Sequence, residues 1–100
     1  MKTTITEKEG IITIAVSGEL DTDTTLAFRN EVEPVTQSKG VNVELDFSEL
    51  EYISSKALRV LISLEQQVTA GGGSFTVLNV QPAVREVFDM TGLSASLIKD

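Results

Sequence analysis

The 100-residue chain contains no cysteine, no histidine and no tryptophan. Without cysteine it has no disulfide framework, no thiolate chemistry and no cysteine-based zinc site. Without histidine, the Ser–His and Cys–His pairs that activate hydrolytic nucleophiles cannot be assembled from this chain. The acidic residues are scattered, with no spacing typical of a calcium site or of a paired-carboxylate enzyme. We therefore expect no catalytic residues, no metal ligands and no cofactor.

Positive charge is also scarce. Eight Lys and Arg residues face fifteen Asp and Glu residues, which gives a formal net charge of −7. A nucleic-acid backbone or an anionic membrane surface repels such a chain, so neither is an expected partner. Net charge alone favours a basic or neutral protein surface as the counterpart.

Long hydrophobic runs are absent from the sequence. No stretch approaches the roughly 18 apolar residues of a transmembrane helix, and residues 1–5 lack the apolar run of a signal peptide. We expect a cytoplasmic protein that does not insert into a membrane. A chain of 100 residues with 41% hydrophobic content fits one domain, covering residues 1–100.

Alternation of apolar and polar residues predicts strands, each with one buried and one wetter face. The pattern covers residues 12–16, 41–47 and 74–80. An earlier strand through residues 3–6 is joined to the next by a hairpin turn at residues 7–10. The polar segment that contains Glu49 and Glu51 is most simply a solvated loop.

Helical spacing of apolar residues predicts helices between these strands. The first starts at Asp21 or Thr22, and Pro34 should kink or stop it. The second starts at Ser54 or Ser55 and ends at the glycine run of residues 71–73.

A third helix opens with Pro82 in its first turn and stops at Gly92, and residues 97–98 add a short closing strand. Strands that alternate with helices indicate an α/β fold. Because the strands alternate in polarity, we expect a mixed sheet of four to five strands with helices mainly on one face.

Three patches carry a resemblance by their order and spacing: residues 17–21 (SGELD), 46–61 (DFSELEYISSKALRVL) and 82–93 (PAVREVFDMTGL). Together they span nearly the whole chain and resemble the STAS domains, specifically the bacterial anti-sigma-factor antagonists. The resemblance implies that the unphosphorylated protein binds an anti-sigma factor that is also a serine kinase. Phosphorylation then releases the protein, and a phosphatase restores it.

The resemblance also implies site residues. The serine phosphorylated in regulated members stands three residues before a leucine of the second helix, a position that Ser55 occupies here. Asp21 matches an acidic residue of the family that lies near this serine and assists its modification. Ser54, Lys56 and Arg59 stand beside Ser55 and are candidate contacts for the partner.

Two alternatives stay open. Ser54, Ser55 and Asp21 are all of residue types preferred as helix caps, and the resemblance favours modification only for Ser55. Similar stand-alone domains also serve as accessory subunits of membrane lipid-transport ATPase complexes, without any phosphoserine. Lys56 and Ala57 replace the usual small residue and glycine of the family, which keeps that second function open. The sequence does not fix the oligomeric state.

Overall fold

The computed structural model describes residues 1–92 and 97–98. In these residues the elements follow one another as β1 (Lys2–Lys8), β2 (Ile11–Leu20), α1 (Thr22–Thr36), β3 (Asn42–Ile53), α2 (Ser55–Ala70), β4 (Ser74–Leu78) and α3 (Pro82–Thr91). The predicted α/β architecture is therefore confirmed. None of the helices in this part of the chain is long and apolar enough to cross a membrane.

The strands form one mixed sheet in the order β1-β2-β3-β4. β1 pairs antiparallel with β2, whereas β2, β3 and β4 are parallel to one another. Parallel neighbours require crossover connections, and α1 and α2 supply them. Both helices therefore begin at the same edge of the sheet, where β2 and β3 end.

The helices cover one face of this sheet. The buried side chains of the strands and helices belong to a single core cluster, which includes Ile14, Val16, Phe28, Val43, Leu45, Phe47, Leu61, Leu64, Phe75, Val77, Val84 and Phe88. The residues that alternate with them along the central strands, such as Thr13, Glu44 and Thr76, are only half-buried. This one-sided burial matches the polarity pattern of the strands.

The first hairpin is tighter than predicted. Its turn consists of Glu9 and Gly10 alone, with φ angles of 54° and 82°. Two positive φ angles in a two-residue connection are typical of a type I′ turn, whose twist matches that of the flanking strands. β1 is correspondingly longer than residues 3–6.

The solvated loop predicted around Glu49 and Glu51 is wrong, because both residues lie within β3. β3 carries one residue more than β2 at each of two register shifts, next to Ala15 and next to Gly18. Such bulges interrupt the two-residue alternation, so the buried positions at this end of β3 no longer follow the strand pattern. The end of β3 therefore lacks the alternating pattern of a strand in its sequence, although its backbone pairs with β2.

Two smaller differences concern element ends. α1 continues for two residues past Pro34 and ends at Thr36, so the proline lies in its last turn. The closing strand predicted at residues 97–98 is reduced to one parallel bridge between Ile98 and Val77. Residues 93–96 and 99–100 lie outside the described part of the chain. Gly92 ends α3 with a left-handed φ of 74°, as the sequence predicts.

The glycine run after α2 generates a stability prediction. A Cβ atom on Gly73 would lie 1.8 Å from the carbonyl oxygen of Val41, which itself accepts the backbone N–H of Ser74. We expect Gly73→Ala to lower the free energy of unfolding by about 3 kcal/mol or more, because the starts of β3 and β4 must separate. Chemical denaturation measures this loss.

The matched control is Gly72→Ala. Gly72 has a φ of 87° but nothing within 4 Å of the added carbon, so the substitution costs only the left-handed strain of about 1–2 kcal/mol. Equal losses in the two variants would contradict close backbone contact at Gly73.

Candidate partner-binding site

The start of α1 and the start of α2 lie side by side. The backbone N–H of Ser54 donates a 2.8 Å hydrogen bond to the carbonyl oxygen of Leu20. Leu20 and Ile53 are also register partners at the ends of β2 and β3. The residues that follow them, Asp21 and Ser54, are the N-caps of the two helices. Two of the predicted site residues are therefore brought together by the sheet.

Asp21 caps α1. Its carboxylate accepts the backbone N–H groups of Asp23 at 2.9 Å and Thr24 at 2.8 Å, and the Thr24 hydroxyl accepts the Asp21 N–H at 3.0 Å. These hydrogen bonds, the one from the Thr24 backbone foremost, hold the pKa of Asp21 below its ordinary value. The structure thus shows the capping alternative for Asp21, in the form of a capping box.

The two neighbouring serines differ in what their hydroxyl groups do. Ser54 is half-buried, and its hydroxyl oxygen accepts the backbone N–H of Ala57 at 3.1 Å. Ser55 is the first residue of α2 and is exposed. Its hydroxyl makes no hydrogen bond to any residue that the structure describes. Ser54 therefore caps α2, whereas the Ser55 hydroxyl is exposed to solvent.

Two cations stand next to Ser55. Lys56 and Arg59 are exposed, and within residues 1–92 and 97–98 neither pairs with a carboxylate. Arg59 is four residues after Ser55, so the two side chains share one face of α2. The first turn of α2 has no acidic residue, and Lys56 there opposes the helix dipole at a cost of about 0.3–1 kcal/mol. Its presence is not explained by helix stability.

The cavities described for this protein lie elsewhere, on the uncovered face of the sheet. One of about 200 Å³ is lined by residues that include Lys2, Ser17 and Asp46, and another of about 300 Å³ includes Glu44 and Thr76. In the described part of the chain, no group of three acidic, histidine or cysteine side chains could hold a metal ion.

Asp46 is a half-buried carboxylate of that face. Burial raises its pKa, but hydrogen bonds from the Ser48 backbone at 3.0 Å and the Asn79 amide at 3.1 Å outweigh burial and leave the pKa lowered. A carboxylate that stays ionised in this way is poorly suited to general acid–base catalysis near neutral pH.

The family assignment follows from the whole chain. The family model described as the STAS domain matches residues 2–99. The chain belongs to the STAS family. The anti-sigma F factor antagonist of Paenibacillus polymyxa is 28% identical over 85 residues, which cover 84% of this chain and 73% of that protein. The resemblance recognised in the three sequence patches is thereby confirmed.

Solved structures of anti-sigma factor antagonists share this fold. An anti-sigma factor antagonist from Mycobacterium paratuberculosis superposes with a TM-score of 0.86 at 26% identity, covering 97% of this chain and 83% of that one. Unphosphorylated SpoIIAA, also an anti-sigma factor antagonist, gives a TM-score of 0.84 at 22% identity over 99% and 87% of the two chains. Phosphorylated SpoIIAA, described as a Bacillus cell fate determinant, gives 0.75 at 21% identity over 99% and 90%.

Two exposed apolar side chains are absent from the predicted site residues. Leu26 in α1 is 62% exposed, and Tyr52 at the end of β3 is 47% exposed. The signal for Leu26 was present, because it falls outside the helical stripe formed by Phe28 and Val32. An apolar residue off the buried stripe is a candidate contact for another molecule.

The two serines make a matched pair for mutation. We expect Ser54→Ala to lower the free energy of unfolding by about 1 kcal/mol, because the first turn of α2 loses its capping hydrogen bond. Ser55→Ala should change it by less than about 0.5 kcal/mol. Chemical denaturation of both variants measures the difference. A larger loss of unfolding free energy for Ser55→Ala than for Ser54→Ala would show that Ser55, and not Ser54, caps α2.

The lowered pKa of Asp21 generates a pH prediction. A carboxyl whose pKa is lower in the folded state stabilises the fold above its unfolded pKa, and this contribution is lost as the pH falls through the folded pKa. We expect Asp21→Asn to be less stable than wild type at neutral pH, with the difference shrinking below about pH 4. Denaturation at several pH values checks this.

Asp23→Asn is the control for losing one negative charge at the same end of α1. A stability difference between wild type and Asp21→Asn that stays constant from pH 7 to pH 3 would show that the carboxylate charge has no part in the cap.

Proposed function

We propose that this chain is an anti-sigma factor antagonist, a single STAS domain over residues 1–100 that acts in the bacterial cytoplasm. In this role it binds an anti-sigma factor with serine kinase activity, and so frees a sigma factor for transcription. Phosphorylation of Ser55 releases it, and a phosphatase reverses the modification. The chain itself has no catalytic role in this scheme.

The observation that carries the proposal is the state of Ser55. Its hydroxyl is exposed and uncommitted, while the neighbouring Ser54 provides the cap that the helix needs. Modification of Ser55 therefore removes no interaction on which the fold depends. The similar proteins support the same function, since the relative and the structural neighbours above are named as anti-sigma factor antagonists. One neighbour has been solved in unphosphorylated and phosphorylated forms.

Phosphorylation at this position acts on the interface and leaves the fold in place. The γ-phosphoryl group of ATP passes to the Ser55 hydroxyl oxygen, which gives up its proton, and ADP leaves. The first N–H groups of a helix have no partner within it and favour a nearby anion, so the domain tolerates the phosphate. The phosphate adds about −1.5 to −2 charges to the surface that contacts the partner.

The remaining site residues support this surface. Asp21 and Ser54 fix the starts of α1 and α2 next to each other, so that the partner meets a rigid edge. Lys56 and Arg59 project from the first turns of α2 and are proposed as direct contacts. A loss of a few kcal/mol at such an interface suffices for release, since each ~1.4 kcal/mol changes the affinity tenfold.

The proposal is tested with the purified serine kinases of the anti-sigma factor class from the source genome. Wild type, Ser54→Ala and Ser55→Ala are each incubated with kinase and ATP, and the modified residue is located by mass spectrometry. We expect phosphate on Ser55 in wild type and Ser54→Ala, and none in Ser55→Ala. Calorimetry should show binding to the same kinase at least about tenfold weaker after phosphorylation.

Amide chemical shifts provide the control for folding. Phosphorylated and unphosphorylated protein should differ only around the start of α2, and widespread changes would mean that release works through refolding. If a partner binds wild type and Ser55→Ala with equal affinity and Ser55 is never phosphorylated, the proposed phosphorylation switch is wrong. That result favours the constitutive accessory subunit of a lipid-transport complex.

A further inference from the structure

The contact between α1 and α2 fixes which side chains line the groove between them. The Gln67 side chain accepts the Thr36 hydroxyl at 2.9 Å and donates its amide N–H to the Glu33 carboxylate at 3.3 Å. Both helices begin at the same edge of the sheet and therefore run in the same direction. Seven residues make about two helical turns, so residues seven positions earlier lie on the same face. These residues are Leu26 in α1 and Val60 in α2.

The groove therefore has an apolar centre near the start of both helices. Leu26 is 62% exposed and Val60 is half-buried. Lys56, four residues before Val60, shares its helix face, and Arg59 lies with Ser55 on the adjoining face. We call the surface formed by Leu26, Lys56, Arg59 and Val60 the α1–α2 groove.

The charge of this groove contrasts with the chain as a whole, which has a net charge of −7. Its two cations have no carboxylate partner in the described residues, whereas the nearby Arg29 is paired with Glu33 at 3.1 Å. The acidic residues at this end of the sheet are Glu19 and Glu51 in the strands and Asp21 and Asp23 at the start of α1. Asp21 is the N-cap of α1, and its carboxylate accepts hydrogen bonds from the first turn of that helix.

Exposed apolar carbon beside unpaired cations fits a protein segment that offers an apolar side chain flanked by carboxylates. We propose that the α1–α2 groove docks such an acidic segment of the partner, and that a phosphate on Ser55 releases it by pairing with Arg59 and Lys56. This inference rests on the proposed function and specifies the partner's chemistry and the means of release. It also differs from the basic or neutral partner surface that net charge alone favours.

The phosphate on Ser55 competes with the partner's carboxylates for Arg59 and Lys56 of the same molecule. Ser55 and Arg59 are four residues apart on one helix, so a phosphate on Ser55 can reach the guanidinium group without any change in the backbone. Arginine pairs with phosphate through two parallel hydrogen bonds, which is a stronger arrangement than a single exposed contact. Once paired, the cations no longer attract the partner, and the added negative charge repels its carboxylates. Release thus combines loss of attraction with repulsion.

The first test measures binding to the kinase identified above, using unphosphorylated protein. We expect Lys56→Glu and Arg59→Glu each to weaken binding about tenfold or more. The matched control is Lys39→Glu, which makes the same change in net charge at an exposed position beyond the other end of α1. Equal effects at Lys39 and Arg59 would show that only net charge matters and would overturn the inference.

The apolar centre has its own control. Leu26→Ala should weaken binding by about fivefold or more, whereas Met90→Ala, which truncates a side chain 80% exposed on α3, should change it less than twofold. Binding of wild type should also weaken as sodium chloride increases, and this salt dependence should be smaller in Arg59→Gln. Tighter binding at high salt would contradict an acidic partner segment.

The second test needs no partner. Protein carrying phosphoserine at residue 55 is titrated by phosphorus NMR as wild type, Arg59→Gln, Lys56→Gln and Lys39→Gln. The phosphate should titrate below its ordinary pKa of about 6 in wild type and Lys39→Gln, and closer to that value in the other two variants. One common value in all four proteins would overturn the internal competition.

The outcomes separate the two proposals. If no anti-sigma serine kinase binds or modifies the protein, the proposed function fails, and the docking inference fails with it. If a kinase binds and modifies Ser55 but the substitutions in the groove act no differently from their controls, only the inference is overturned.

Discussion

The parallel pairing of β2 with β3 is the constraint on which the rest of the site depends. The hydrogen bond between the Ser54 N–H and the Leu20 carbonyl completes this pairing at the edge where both strands end. Because β2 and β3 are neighbours, the two helices that follow them must start next to each other. Asp21 and Ser54 are 33 positions apart in sequence and become adjacent helix caps for this reason. Neither residue could define the surface alone.

Much of this arrangement follows from the sequence by local physics. Strand alternation is a pattern within one segment, and the helix caps and Gly92 follow from the conformational preferences of single residues. The structure agrees with these predictions. β3 differs because its two bulges are produced by pairing with β2, and pairing between distant segments leaves no periodic trace in either segment. The same limit applies to the groove. We infer that Leu26 and Val60 face each other from the parallel course of α1 and α2 and from the contacts of Gln67, neither of which the sequence shows.

The two serines show how a capping hydroxyl and an exposed, unbonded hydroxyl can stand at neighbouring positions of one helix start. A serine at an N-cap position accepts a backbone N–H of the first turn, and modifying it would disturb this capping hydrogen bond. Ser55, one residue later, also lies at the start of α2 but does not cap the helix. The pair Ser54 and Ser55 thus permits a large change of surface charge at almost no cost to the fold. This separation is what a reversible switch requires.

Local charge and net charge have different consequences at this surface. Net charge governs long-range encounter, whereas contact within a few ångströms is decided by the groups that face the partner. Within the described residues, Lys56 and Arg59 stand beside Ser55 without a carboxylate partner, so this part of an acidic chain can attract a carboxylate at short range. A helix start without acidic residues keeps those cations available, at a small cost in helix stability. In the proposed switch, a phosphate on Ser55 pairs with Arg59 and Lys56, because these cations are tethered on the same helix. The groove then no longer attracts the acidic segment proposed for the partner.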